Sequence, residues 1–304
     1  MAEKRPILKR FLGAIGWILL LILTTTAVWR IFIYPSASNW GSTKEERLRS
    51  LPGDELGTLA GPKHTTAISI HASAEEVWKW LVQIGQDRGG FYSYTFLENL
   101  VGAGIRNTNE VRPEWQELKV GDVVRLGRDE GVIKLGVLAI EPGRYLILPY
   151  WGAFVLEPSA DGQSTRMLVR SRSERKPLPR FILSLTLDPI HFLMQRRMLL
   201  GIKELAEART PAERPLIPTT SDYLWFFSIL GCGLMIPVIL FARRWKGRLL
   251  TAIGLSALLI LVLYGFPPVP AYGLALAIFT LLILVWRVAI FRPDRPPATI
   301  PESR

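Results

Sequence analysis

Four stretches of the chain run nearly free of charge over a length that matters. Phe11 to Trp29 is uncharged up to Arg30, and Tyr223–Ala242, Leu249–Phe266 and Pro268–Trp286 repeat the pattern towards the C-terminus. Each approaches the roughly 20 apolar residues that cross a hydrocarbon core of about 30 Å. The pattern therefore predicts transmembrane helices at 11–30, 223–242, 249–266 and 268–287. A cleaved leader would carry a shorter apolar run and a small-residue cleavage site, which Ala27-Val28-Trp29-Arg30 does not offer, so an uncleaved anchor is expected. Pro237 marks a kink within the second run. No acidic residue lies inside any of the four, which speaks against an ion or proton relay.

Between the first run and the other three, the periodicity changes. Residues 36–63 are polar, rich in Gly, Ser and Pro, and read as a linker with short irregular structure. Thr66, Ile68 and Ile70 alternate as on a strand. Ser73 and Glu76 form a capping-box pattern at the start of a helix whose buried stripe is Val77, Trp80, Leu81 and Ile84. A second short helix is expected from Phe91 to Val101, with Tyr94, Leu97, Glu98 and Val101 on one face. From Gly121 to Arg172 the period is two: Gly121–Leu126, Gly131–Glu141, Tyr145–Tyr150, Ala153–Glu157 and Thr165–Arg172 read as antiparallel strands, with a turn at Ser159–Gly162. Helical spacing returns over Asp188–Ala208, where Met194, Met198, Ile202 and Leu205 line one side. The expected fold is α+β: a curved antiparallel sheet covered by a long C-terminal helix, with room for a cavity between the two layers.

Charge then separates two functional classes. The formal net charge is +11 over 304 residues. Residues 35–221 hold 24 Lys plus Arg against 22 Asp plus Glu, so +9 of that excess sits on the ends. A nucleic-acid binder concentrates positive charge on its folded domain, and this chain does not, so no nucleic-acid partner is expected. The basic residues instead flank the apolar runs: Lys4, Arg5, Lys9 and Arg10 before the first, Arg243, Arg244, Lys246 and Arg248 in one connection, Arg287, Arg292 and Arg295 after the last. By the positive-inside rule all three groups belong in the cytoplasm. Four crossings satisfy them together, with a cytoplasmic N-terminus at 1–10, a cytoplasmic tail at 288–304 and the central domain outside the inner membrane of a bacterial cell. Cys232 is the single cysteine, so no intrachain disulfide forms.

The central segment also resembles a known family, the START-related helix-grip superfamily called SRPBCC, in its bacterial polyketide cyclase-like branch. The resemblance rests on Ile70–Gly85 (IHASAEEVWKWLVQIG), Arg88–Tyr94 (RGGFYSY), Leu97–Asn99, Pro113–Gln116 with Gly121 and Asp122, and Asp188–Phe192 (DPIHF). It covers the domain at 64–210. It implies a curved sheet gripping a long helix, and an apolar or amphipathic ligand held between them. Some members catalyse cyclisation or dehydration and many only bind, so the fold does not decide the activity.

Candidate chemistry is sparse. His64, His71 and His191 are far apart and show no paired-ligand spacing, so neither a metal nor a cofactor is expected. Ser93 lacks the Gly-x-Ser-x-Gly context of a nucleophile. By the resemblance, the segment edging the cavity carries Tyr92, Tyr94, Glu98 and Asn99, with Asn107 and Trp115 just beyond. A carboxyl among aromatics has its pKa raised and can act as acid or base; the alternative is an ion pair of Glu98 with Arg88 or Arg106. Arg166, Arg170 and Arg172 share one strand face, which is either solvated or, at Arg170, directed at an anionic head group. Three functions follow as expectations: a membrane-anchored domain binding a lipophilic small molecule or lipid; a cyclase or dehydratase using Glu98 with Tyr92 or Tyr94; or a membrane interaction protein without ligand.

Overall fold

The computed structural model describes residues 15–16, 19–20, 22–56, 63–100, 102–127, 133–149, 151–172, 178–241 and 246–290, without the side chains of 178–186, 237–241, 246–249 and 287–290. The chain divides into two compact units, one of Thr26–Tyr223 and one of Met1–Thr25 with Leu224–Arg304.

In the first unit, strands β1 (Lys63–Ile70), β4 (Ala139–Glu141), β5 (Tyr145–Leu148), β6 (Gly152–Pro158) and β7 (Thr165–Arg172) form an antiparallel sheet in the order β1-β7-β6-β5-β4. β2 (Val123–Leu126) and β3 (Ile133–Gly136) pair as a separate hairpin. The run expected as one strand from Gly131 to Glu141 is thus broken after Gly136: Val137 N donates back to Asp122 O and Leu138 N to Ile147 O, so the two halves serve different sheets. The first and last strands of the domain pair at one edge of the sheet, Lys63 opposite Arg172 and Ile70 opposite Thr165.

Helix α1 (Lys44–Leu48) is followed by α2 (Ala74–Val82), α3 (Thr95–Leu100) and the 30-residue α4 (Leu178–Glu207). The stripe read from sequence on α2 is buried, with Val77, Trp80, Leu81 and Ile84 all inaccessible. Ser73 caps α2 by accepting from Glu76 N, but Glu76 does not reach back; its carboxylate takes Lys79 instead. α4 starts ten residues before the expected Asp188 and continues through Pro189. A proline deletes one backbone donor without forbidding a helix whose other turns are bonded. Met198, Ile202 and Leu205 of α4 pack onto Ile68, Phe154, Met167 and Val169 from the sheet. The α+β arrangement of an antiparallel sheet around one long helix fits a helix-grip domain.

The segment read as a linker is structured over 34–56. Thr43 and Glu46 complete a full capping box on α1, and Ala67 N donates to Trp40 O at 2.9 Å. Leu51 closes a small second core with Ala67, Ile147, Val155 and Leu168 on the sheet's other face. A five-residue helix has too few turns to display an amphipathic stripe, and its partner lies a hundred residues away, so periodicity could not reveal it.

In the second unit, α5 (Thr220–Phe241) continues from the first unit, followed by α6 (Lys246–Ile260) and α7 (Pro270–Ile290). Ile236, Ala252 and Leu255 form its buried contact, joined by Leu259, Ile283 and Leu284. Gly273 lies against the Trp225 carbonyl, leaving no room for a Cβ. Among the described residues no helix is long and apolar enough to cross a membrane. The expected crossing at 11–30 falls largely on residues outside the description, and side chains are described only to Ile236 in α5, from Leu250 in α6 and to Trp286 in α7.

Candidate functional site

The chain turns sharply between α2 and α3, and that turn shapes the site. Gly85 and Gly90 bridge each other, and Gly90, at φ +79°, packs so closely on Asn107 that no side chain fits there. Tyr92 follows at φ +51°, in the left-handed region that bulky residues avoid. Asn107 fixes this conformation: its Oδ1 accepts from Phe91 N (3.0 Å) and Tyr92 N (2.8 Å), while its Nδ2 donates to Ser93 O (3.0 Å) and Ile217 O (2.9 Å). Gly201 of α4 lies directly on the Tyr92 backbone.

A cavity of about 360 Å³ opens between this corner, the β2–β3 hairpin and α4. Phe91, Ser93 and Glu98 contribute from the corner and α3, Leu126, Ile133 and Leu135 from the hairpin, Trp151 from the turn before β6, and His191, Met194, Gln195 and Met198 from α4. The lining is almost wholly apolar. Ile133 is 53% exposed and marks the open side. Ser93 Oγ is already committed, donating to Met194 O at 2.9 Å.

Glu98 is the acidic residue in that wall. Its Oε2 is buried without a hydrogen-bond partner, and among the described residues no ion pair includes it. Desolvation pushes its pKa up to about 7. The alternative pairing with Arg88 does not form: Arg88 Nη2 donates to Val82 O and to Trp115 O.

The other six residues singled out from sequence are placed elsewhere. Tyr92 and Tyr94 are buried in the core rather than in the cavity wall. The Tyr92 hydroxyl accepts from Gln83 Nε2 at 2.8 Å, and burial raises the pKa of both phenols. Asn99 faces its own loop, exchanging two hydrogen bonds with Ile105 at 3.0 and 2.7 Å. Asn107 is the latch described above. Trp115 stacks under the Arg112 guanidinium, 5.0 Å from the ring centre. Arg170 points to the opposite face of the sheet, where it meets Asp54 Oδ2 at 3.0 Å and the Glu46 carbonyl at 2.6 Å. At Arg170 that face is neither solvated nor part of the cavity, because residues 41–54 cover it.

Sequence reasoning passed over Phe91, at the corner before α3, and Leu126, Ile133 and Leu135, whose signal was only the alternation on the hairpin; Met194 and Met198 it read only as lining one side of the last helix. A second, smaller cavity of about 90 Å³ shares His191 and Gln195 with the first and is bounded by Tyr34, Ser38, His64 and Thr66. His64 Nε2 lies 3.3 Å from the Tyr34 hydroxyl, and burial lowers the His64 pKa. Among the described residues no cluster of His, Cys, Asp or Glu is able to hold a metal ion.

No protein-family model matches the chain, and no curated protein matches it. Solved structures do resemble part of it. A conserved protein of unknown function from Enterococcus faecalis is 16% identical, with 51% of this chain and 76% of that one covered and a TM-score of 0.32. The Aha1 dimer from Colwellia psychrerythraea is 16% identical over 48% and 96%, with a TM-score of 0.26. A polyketide cyclase-like protein from Corynebacterium glutamicum is 18% identical over 50% and 88%, with a TM-score of 0.24.

Proposed function

We propose that the chain is a membrane-anchored binding module that holds a lipophilic small molecule or lipid in the cavity between α3, the β2–β3 hairpin and α4. The observation carrying this reading is the apolar cavity itself, whose volume of about 360 Å³ falls within the roughly 300–1,000 Å³ of small-molecule sites. Its walls offer little to a polar solute. An anchor serves such a module because a membrane-dissolved ligand is concentrated where the module is held.

Support for anchoring comes from the second unit. Leu224, Phe227, Leu230 and Leu234 of α5 and Leu274, Ile278, Leu282 and Val285 of α7 are all exposed. Apolar surface on that scale marks an interaction with membrane or protein. With the basic flanks, the reading has N- and C-termini in the cytoplasm and the helix-grip domain outside the inner membrane.

The test uses the detergent-solubilised full chain and a variant, Leu135→Trp, that fills the cavity. Mass spectrometry of co-purifying compounds should find an apolar species on the native chain and not on the variant. Equal retention by both, or no uptake of a neutral apolar fluorophore by the native chain above the variant, would overturn the reading. The cyclase or dehydratase reading has one observation in its favour, a Glu98 carboxyl poised near 7. It would lean on His191 rather than on Tyr92 or Tyr94, because His191 lines the same cavity. Glu98→Gln would then abolish turnover of a retained ligand and leave its binding nearly intact.

A further inference from the structure

The cavity wall contains an acid that nothing in the wall satisfies. Glu98 Oε2 is buried and unpartnered, the Ser93 hydroxyl is spent on Met194 O, and Arg88 is turned to backbone carbonyls. His191, across the cavity on α4, is the other titratable group among the described lining residues. An oxygen held this way costs free energy until a donor reaches it. An incoming ligand is the available source.

Resting on the apolar-ligand reading, we propose that the bound lipophile ends in a hydrogen-bond donor, an amine before a hydroxyl, and that lipophilic carboxylates are excluded. The chemistry is that of a lone acceptor. An ammonium or hydroxyl gives Glu98 the hydrogen it lacks, and the ammonium adds charge, making the bond roughly twice as strong as a neutral one. A fatty carboxylate brings a second acid into the same dry space, where two carboxylates cannot both ionise cheaply. An alkane fills the volume and leaves the oxygen as it was. The elevated Glu98 pKa of about 7 agrees with an acid that awaits a partner.

Four probes of equal chain length separate these cases: decylamine, decanol, decane and decanoate. Each displaces a neutral apolar fluorophore from the full chain in detergent at pH 7, with the Leu135→Trp signal subtracted to remove micelle partitioning. Decylamine should displace at a concentration at least about tenfold below decane, as a hydrogen bond to a charged group allows. Decanol should fall between them, and decanoate should be weakest. In Glu98→Leu the amine should lose its advantage and displace no better than decane, since an ammonium without a partner keeps its desolvation cost unrelieved. Equal displacement by all four on the native chain, or a preference for decanoate, overturns this inference and leaves the cavity reading standing. Absence of any fluorophore signal above Leu135→Trp overturns both.

Discussion

Tyr92 and Asn107 show how a residue near a cavity can belong to its frame. A bulky residue at φ +51° is strained by about 1–3 kcal/mol, and the Asn107 carboxamide offsets that strain with four hydrogen bonds to backbone. Asn107→Ala strips all four and leaves buried amides without partners. The expected loss is at least about 2 kcal/mol, read as a lowered thermal midpoint, whereas Asn99→Ala, at an exposed position, should cost less. Glu98 behaves differently. Its folded pKa near 7 stands above the usual 4.5, so between those values the folded chain keeps a proton that the unfolded chain has released. The Glu98 contribution to stability therefore falls as pH rises from about 4.5 to about 7, by up to about 3 kcal/mol, and is constant outside that window. Thermal midpoints of Glu98→Gln, which does not titrate there, should gain on the native chain across that window; parallel profiles would show that Glu98 is an ordinary carboxylate. From sequence alone the two kinds of residue look the same. Tyr92, Glu98, Asn99 and Asn107 all sit in one polar, aromatic segment, and only the left-handed turn at Tyr92 decides that the carboxamides serve the backbone while the acid faces the void.

The sheet elements were legible because burial imposes a period. The alternation in β1 and β7 and the stripes on α2 and α4 each follow from one face meeting a core, a local rule that survives in a single sequence. The outer face of β7 obeyed no such rule. Arg166, Arg170 and Arg172 have the spacing of a solvated face, yet Arg166 meets Glu46 at 2.7 Å and Arg170 meets Asp54 at 3.0 Å beneath the segment around α1. What covers them is over a hundred positions away in the chain, which no window of periodicity spans. Burial of these charges sets their energetics. The Arg170 side chain is 2% exposed and that of Asp54 is 9%, so Asp54→Ala abandons a guanidinium in a place water does not reach, at an expected cost of about 3–5 kcal/mol. Arg49 and Glu157 pair at 2.6 Å but remain in contact with solvent, and Arg49→Ala should cost under about 1 kcal/mol. Denaturant midpoints of the two variants measure the contrast; an Asp54→Ala loss as small as that of Arg49→Ala would mean that the buried pair adds little to stability.

At the scale of the whole chain, composition says more than any motif. A central stretch close to neutral is bounded by ends that hold nearly all of the formal +11, and the same ends hold the apolar runs. Basic residues beside long apolar runs of sequence are the combination that orients membrane segments, because Lys and Arg resist transfer across the bilayer. The proposed topology makes a sharp prediction through Cys232, the single cysteine of the chain, which is buried. In a Cys232→Ser background, one new thiol at Ser159, in the turn before β7, and another at Lys246, the first residue of α6, report on opposite sides of the proposed membrane. A membrane-impermeant maleimide added to intact spheroplasts should label Ser159→Cys and spare Lys246→Cys until the membrane is permeabilised. The reverse pattern would put the helix-grip domain in the cytoplasm, and labelling of both without permeabilisation would remove the bilayer from the account. The distinction reaches back to the cavity, since the proposed lipophilic ligand would come from the envelope for a domain outside the cell and from metabolism for one inside.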